Sequence, residues 1–113
     1  MKKLTGRAAE DFKGWLFSTR NEIIKVGVME YDLYYMFMYM LPETCQNALI
    51  IEWFDLVGIY ICIEPYTTLK NKFVFTYYIL HHKNISEQNT YANRNSVTHS
   101  AIEKANELYN LNN

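Results

Sequence analysis

The chain has 113 residues, half of them hydrophobic and a fifth charged, a globular rather than disordered composition with enough length to bury a core without metal or disulfide staples. Its formal net charge of −1 excludes a global field that would draw it to nucleic acid or to an anionic membrane. Cys45 and Cys62 have no CxxC spacing and read as reduced, small core residues of a cytoplasmic protein.

LTGRAAEDFKGWLF at 4–17 predicts a first helix. Thr5 is its N-cap, Glu10 and Asp11 lie near its positive end, and Leu4, Ala8, Phe12, Trp15 and Leu16 recur on one face. STRNEIIKVG breaks it at Gly27, with EIIKV readable as a short strand or as irregular chain. The next stretch, 29–41, is unusual for its tyrosines and methionines. As a strand it would be apolar on both faces. As a helix it sorts by chemistry: Tyr31, Tyr34, Tyr35, Met38 and Tyr39 fall on one side, with Leu33, Met36, Phe37, Met40 and Leu41 opposite. The absence of β-branched residues, the acids at its start and Pro42 after its end favour the helix.

PETCQNALIIEWFDLVG predicts a third helix with Pro42 in its first turn and Gly58 just past its end. Cys45, Leu49, Glu52 or Trp53, and Leu56 make one stripe and Ile50, Phe54 and Val57 another, so burial over most of its girth is expected. GIYICIE alternates, placing Ile59, Ile61 and Ile63 on one face and Tyr60, Cys62 and Glu64 on the other. KFVFTYYILHH is a second strand with Phe73, Phe75, Tyr77 and Ile79 on one face, joined to the first by a loop of about eight residues. KNISEQNTYANRN is a polar loop, and its Asn84-Ile85-Ser86 sequon carries no meaning in a cytoplasmic chain. Asn93 then caps a last helix whose Val97, Ala101, Ala105 and Leu108, with Ile102 and Tyr109, face the core. The expected architecture is a single α+β domain over 1–113: about four helices packed on a small antiparallel β-hairpin or sheet, in the order α-α-α-β-β-α.

LTGRAAEDFKGWL at the start, the LP…Q…WFD…GIYI block at 41–61 and the closing AIEKANELYN together resemble a group of small single-domain proteins of unassigned function from bacteriophage and mobile-element genomes. The resemblance covers about half of the chain. It implies an accessory gene product, and since its motifs are helix starts and turns, it assigns no functional residue.

No run of the chain has the length of a membrane-spanning helix, and the N-terminus turns charged before any apolar stretch of signal-peptide length. No catalytic residue, cofactor or metal is expected. Adjacent histidines in a strand point to opposite faces, so His81 and His82 are poor co-ligands, and Cys45, Cys62 and His99 lie too far apart in sequence for a recognisable zinc motif. Glu52 and Asp55 share a helix face as a carboxylate pair but read as a solvated edge. A phosphate loop, a nucleophile elbow and HExxH are absent.

Two binding readings remain. In the first, the face made by Tyr31, Tyr34, Tyr35, Met38 and Tyr39 is a protein-contact surface, since exposed tyrosine and methionine are enriched at interfaces. The segment 21–64 adds seven acids against Lys25 alone. Such a face suits either a homodimer or a host protein, and a host defence or nucleic-acid-handling protein with a basic groove would match the acids. In the second, Lys70, Lys72, Lys83 and Arg94 around the hairpin, with Tyr60, Tyr77 and Tyr78 stacking bases, make a small nucleic-acid-binding module. Protein contact is the reading chosen, with nucleic acid and membrane not expected as partners.

Overall fold

The computed structural model describes residues 3–20, 39–81, 85–86 and 89–112, with the side chains at 19, 20, 85, 86 and 112 excepted. Within them the elements run α1 (Gly6–Arg20), α2 (Glu43–Leu56), β1 (Tyr60–Thr67), β2 (Phe73–Leu80), β3 (Ile85–Ser86) and α3 (Arg94–Asn112). The class is α+β. Three helices are found among the described residues where about four were expected. The helix expected over 29–41 lies outside them except at its end, where Tyr39 and Met40 are helical before a bend at Leu41.

α1 buries Leu4, Ala8, Phe12 and Leu16, the i, i+4 stripe that its sequence presents. Its N-terminus is closed differently from the expectation. The Thr5 hydroxyl accepts from Asn106 Nδ2 at 3.0 Å, while the Ala8 N–H, one of the orphan donors of a first helical turn, goes to Asn110 Oδ1 at 2.9 Å. Asn106 Oδ1 also accepts the Thr5 N–H and Asn110 Nδ2 donates to the Thr5 carbonyl, both at 2.9 Å. Two asparagines one turn apart on α3 thus clamp the start of α1. Gly6, with φ of +60°, sits against them, and a Cβ there would stand 3.2 Å from the Asn110 side chain.

α2 has Pro42 immediately before it. The Ile59 N–H bonds the Phe54 carbonyl at 2.9 Å and the Gly58 N–H bonds that of Asp55 at 3.3 Å, the paired closure of a Schellman motif with Gly58 in the left-handed conformation at φ +84°. Ile59 and Phe54, both fully buried, supply its hydrophobic contact. The expected burial over most of the girth is corrected. Gln46, Asn47, Ile50, Trp53 and Phe54 are buried, whereas Cys45 and Leu56, about a quarter-turn out of phase, are exposed. The Gln46 amide is accommodated by donating to the Leu41 carbonyl at 2.9 Å.

β1 and β2 pair antiparallel from Tyr60 with Leu80 to Thr67 with Phe73, and β3 adds on the far side of β2. The hairpin loop spans 68–72 rather than about eight residues, because β1 continues through Pro65 to Thr67. Pro65 is tolerated for a clear reason. It faces Phe75, whose N–H and C=O both turn the other way, to Tyr91 at 2.9 Å each; the pair is non-hydrogen-bonded and needs no proline donor. The polar stretch before α3 accordingly carries β3 and the Tyr91 bridge rather than being loop throughout. Asn93 caps α3 as expected, its Oδ1 accepting the Ser96 N–H at 2.9 Å.

All three helices lie on one side of the hairpin. Ile59, Tyr77 and Ile79 meet Ile50, Trp53 and Phe54 of α2, Val97, Ala101, Ile102 and Ala105 of α3, and the α1 stripe in one core. Trp53 is its centre, with ring centroids 5.8 Å from Phe12, 5.0 Å from Phe54 and 4.9 Å from Tyr109.

Candidate functional site

Alternation along β1 and β2 sends the odd-numbered residues to the helices and leaves Tyr60, Cys62, Glu64 and Tyr66 on the other face, directly opposite Leu80, Tyr78, Thr76 and Val74. No described element packs on this outer face. Tyr60, Tyr66 and Leu80 are 49%, 42% and 40% exposed, while Cys62, Val74, Thr76 and Tyr78 are half-buried. The loop continues the same character: Leu69 is fully exposed and Phe73 is 75% exposed beyond the reach of the helices, with exposed Lys70 and Lys72 beside them. At the middle of the face the Tyr78 phenol is held above its ordinary 10.0, first by its hydrogen bond to Cys62, then by the charge of Cys62 and Glu64.

The hairpin also presents an open edge. Since Pro65 and Phe75 form a non-hydrogen-bonded pair, the alternation of antiparallel pairing makes Ile63–Tyr77 and Ile61–Ile79 the same kind. The N–H and C=O of Ile61 and Ile63 therefore point away from β2, and no strand among the described residues pairs with them.

Two polar clusters lie elsewhere. Lys3 Nζ, its side chain only 5% exposed, donates to Glu43 Oε2 and to His99 Nε2, both at 3.2 Å. An ammonium has no acceptor, so His99 offers a lone pair there. The hydrogen bond from Lys3, then that from Asn95, holds the Glu43 carboxyl below its ordinary 4.5. Across α1 and α3, Arg7 and the Tyr109 hydroxyl both donate to Asp11, and a cleft of about 220 Å³ opens between Tyr77, Tyr91 and Glu103, Lys104 and Glu107 of α3. Among the described residues no group of three or more His, Cys, Asp or Glu is placed to hold a metal ion, and no helix is long and apolar enough to cross a membrane.

Of the residues singled out as a contact face, Tyr31, Tyr34, Tyr35 and Met38 lie outside the described residues. Tyr39 is described and 73% exposed. Met40, expected on the buried side, is 68% exposed, and Leu41 of that side packs on the core where the chain bends toward α2; Leu33, Met36 and Phe37 lie outside the described residues. Of the nucleic-acid set, Lys70 and Lys72 flank the loop and Tyr60 and Tyr78 face outward, but Tyr77 is buried and Lys83 lies outside the described residues. Arg94 is taken up over the Phe75 ring at 5.2 Å. Glu52 and Asp55 are both exposed on α2. Sequence reasoning passed over Tyr66, hidden in a segment read as turn because of its proline. Compared with protein-family models, curated proteins and solved structures, the chain matches none.

Proposed function

We propose that this protein is a small, non-enzymatic, cytoplasmic accessory protein of phage or mobile-element type that acts by protein–protein contact, its partner being a second copy of itself or a host protein. The observation that carries the reading is the outer face of the hairpin, on which no described element packs and where Tyr60, Tyr66 and Leu80 are exposed together and run on into Leu69 and Phe73. Half-exposed tyrosines beside aliphatic side chains are the composition of interface centres, and an apolar face of this kind is uncommon on a monomer without a partner. Exposed Tyr39 supports a role for the tyrosine set from which it comes, with Tyr31, Tyr34, Tyr35 and Met38 as its companions in the proposal. The acids of 21–64 favour a basic partner surface where the partner is foreign, as an inhibitor of a host defence protein would meet.

The nucleic-acid reading keeps Lys70 and Lys72 with outward Tyr60 and Tyr78. The two readings separate by salt: phosphate binding falls steeply as salt rises, whereas burial of an apolar face does not. Tagged protein is incubated with host lysate, with and without nuclease treatment, at low and moderate salt, beside a Tyr66→Glu/Leu80→Glu variant. Protein contact predicts retained partner, or retained self-copies, at both salts and loss in the variant. Nucleic acid recovered at low salt alone, unchanged by the variant, would overturn it.

A further inference from the structure

Alternation turns the N–H groups of Ile61, Ile63 and Thr67 outward along the edge of β1, and the adjacent pair Ile61 and Ile63 forms a segment closed at both ends. Pro65, the next outward position beyond Ile63, has no N–H. Ile59, the next before Ile61, has already spent its N–H on Phe54. We infer that β1 pairs antiparallel with β1 of a second copy about a two-fold axis at Cys62, joining Ile61 of each copy to Ile63 of the other in one continuous sheet. This rests on the contact reading and names its partner.

The register follows from which pairs can exchange both of their hydrogen bonds. Centring the axis on Ile61 would set Ile63 against Ile59, whose N–H is occupied, and centring it on Ile63 would set Ile61 against Pro65, which has no N–H, so each leaves pairs joined by one hydrogen bond instead of two. Centring on Cys62 uses both free donors and both facing carbonyls in each copy, four hydrogen bonds that are reciprocal, as a two-fold interface demands. The side chains suit the same register. On the outer face Glu64 stands opposite the neutral Tyr60 of the second copy, so no like charges meet. Antiparallel pairing also carries the basic loop of Lys70 and Lys72, with exposed Leu69, toward the end of the second copy from which β1 starts, where the last turn of α2 holds Asp55 and exposed Leu56. The two-fold axis repeats this pairing of basic loop with acidic helix end at both ends of the seam.

The test is sedimentation equilibrium of the full chain with two substitutions at exposed Tyr60. Tyr60→Glu sets like charges opposite each other twice across the axis and weakens the dimer roughly five- to thirtyfold, while Tyr60→Lys sets opposite charges there and leaves it as tight or tighter. Circular dichroism confirms that both variants fold. In a Cys45→Ser background, oxidised glutathione converts the two Cys62 thiols into one intermolecular disulfide, taking up two electrons and two protons and leaving as two glutathione thiols. The expected results are the Glu/Lys contrast and a Cys62-linked dimer. Equal weakening by both Tyr60 variants would overturn the register in favour of stacking of outer faces. A chain monomeric at all concentrations would overturn self-pairing; if it still captures a host protein through Tyr66 and Leu80, the contact reading survives, and if it captures nothing, that reading falls too.

Discussion

Asn110 near the end of the chain accepts the backbone N–H of Ala8 near its start at 2.9 Å. With Asn106 one turn earlier, it makes the first turn of α1 depend on the last turns of α3. Asn110→Ala leaves the Ala8 donor and the Thr5 carbonyl without these partners and should destabilise the fold by about 1–2 kcal/mol, read as a lower midpoint in urea. Leu111→Ala, at an 81% exposed neighbour, should leave the midpoint in place. Equal midpoints for both variants would show that the clamp contributes nothing.

Gly58 closes α2 by conformation alone. An added Cβ meets nothing within 4 Å, so Gly58→Ala should cost only the left-handed backbone penalty, about 1–2 kcal/mol. Phe54→Ala, which empties a fully buried site, should cost about 3–5 kcal/mol. Denaturant titration of the two variants checks the order; a Gly58→Ala variant as unstable as Phe54→Ala would mean that space as well as conformation constrains the turn.

The Asp11–Tyr109 contact gives stability a pH dependence at both extremes. The Tyr109 hydrogen bond, ahead of Arg7, holds Asp11 below its ordinary 3.8; its contribution is complete above that value and is lost as pH falls through the lowered one. Burial first, then Asp11, pushes the Tyr109 phenol up to about 12. That contribution is complete below the ordinary 10.0 and is lost as pH rises through about 12. Tyr109→Phe should flatten the urea midpoint against pH at both ends. An unchanged profile would contradict the assignment.

The outer face of the hairpin should be separable from the core. Tyr66→Glu and Leu80→Glu, at exposed positions on the side away from the helices, should each change stability by no more than about 0.5 kcal/mol while weakening association. Thermal melts beside sedimentation decide this. A variant that unfolds would mean that the face is covered in the monomer.

Local chemistry made much of this fold legible. Alternation in GIYICIE and KFVFTYYIL assigned the faces of both long strands, Gly58 marked the end of α2, and Asn93 marked the start of α3. What escaped was set at long range. The clamp from Asn106 and Asn110 cannot be read at Thr5, which looks like its own cap, though asparagine in phase with Ile102 and Tyr109 was a signal of buried polar work. Cys45 and Leu56 looked like core because stripes in an apolar helix have no unique phase. Pro65 disguised a strand, and with it Tyr66, because its tolerance depends on Phe75 turning toward Tyr91. The candidate contact site was legible as an excess of tyrosine and not as a place: Tyr60 and Tyr78 were noticed as base-stacking candidates, and Tyr66 and Leu80 on the same face were not.

The most direct measurement of the central claim is amide hydrogen exchange of the purified full chain, read by peptide mass at dilute and concentrated protein. Contact through the hairpin predicts that peptides covering 59–66 gain protection as concentration rises, led by the outward N–H groups of Ile61 and Ile63, while peptides of α1 and α3 keep theirs. Protection that appears on α3 around Glu103 instead, or a hairpin whose exchange ignores concentration altogether, would contradict it.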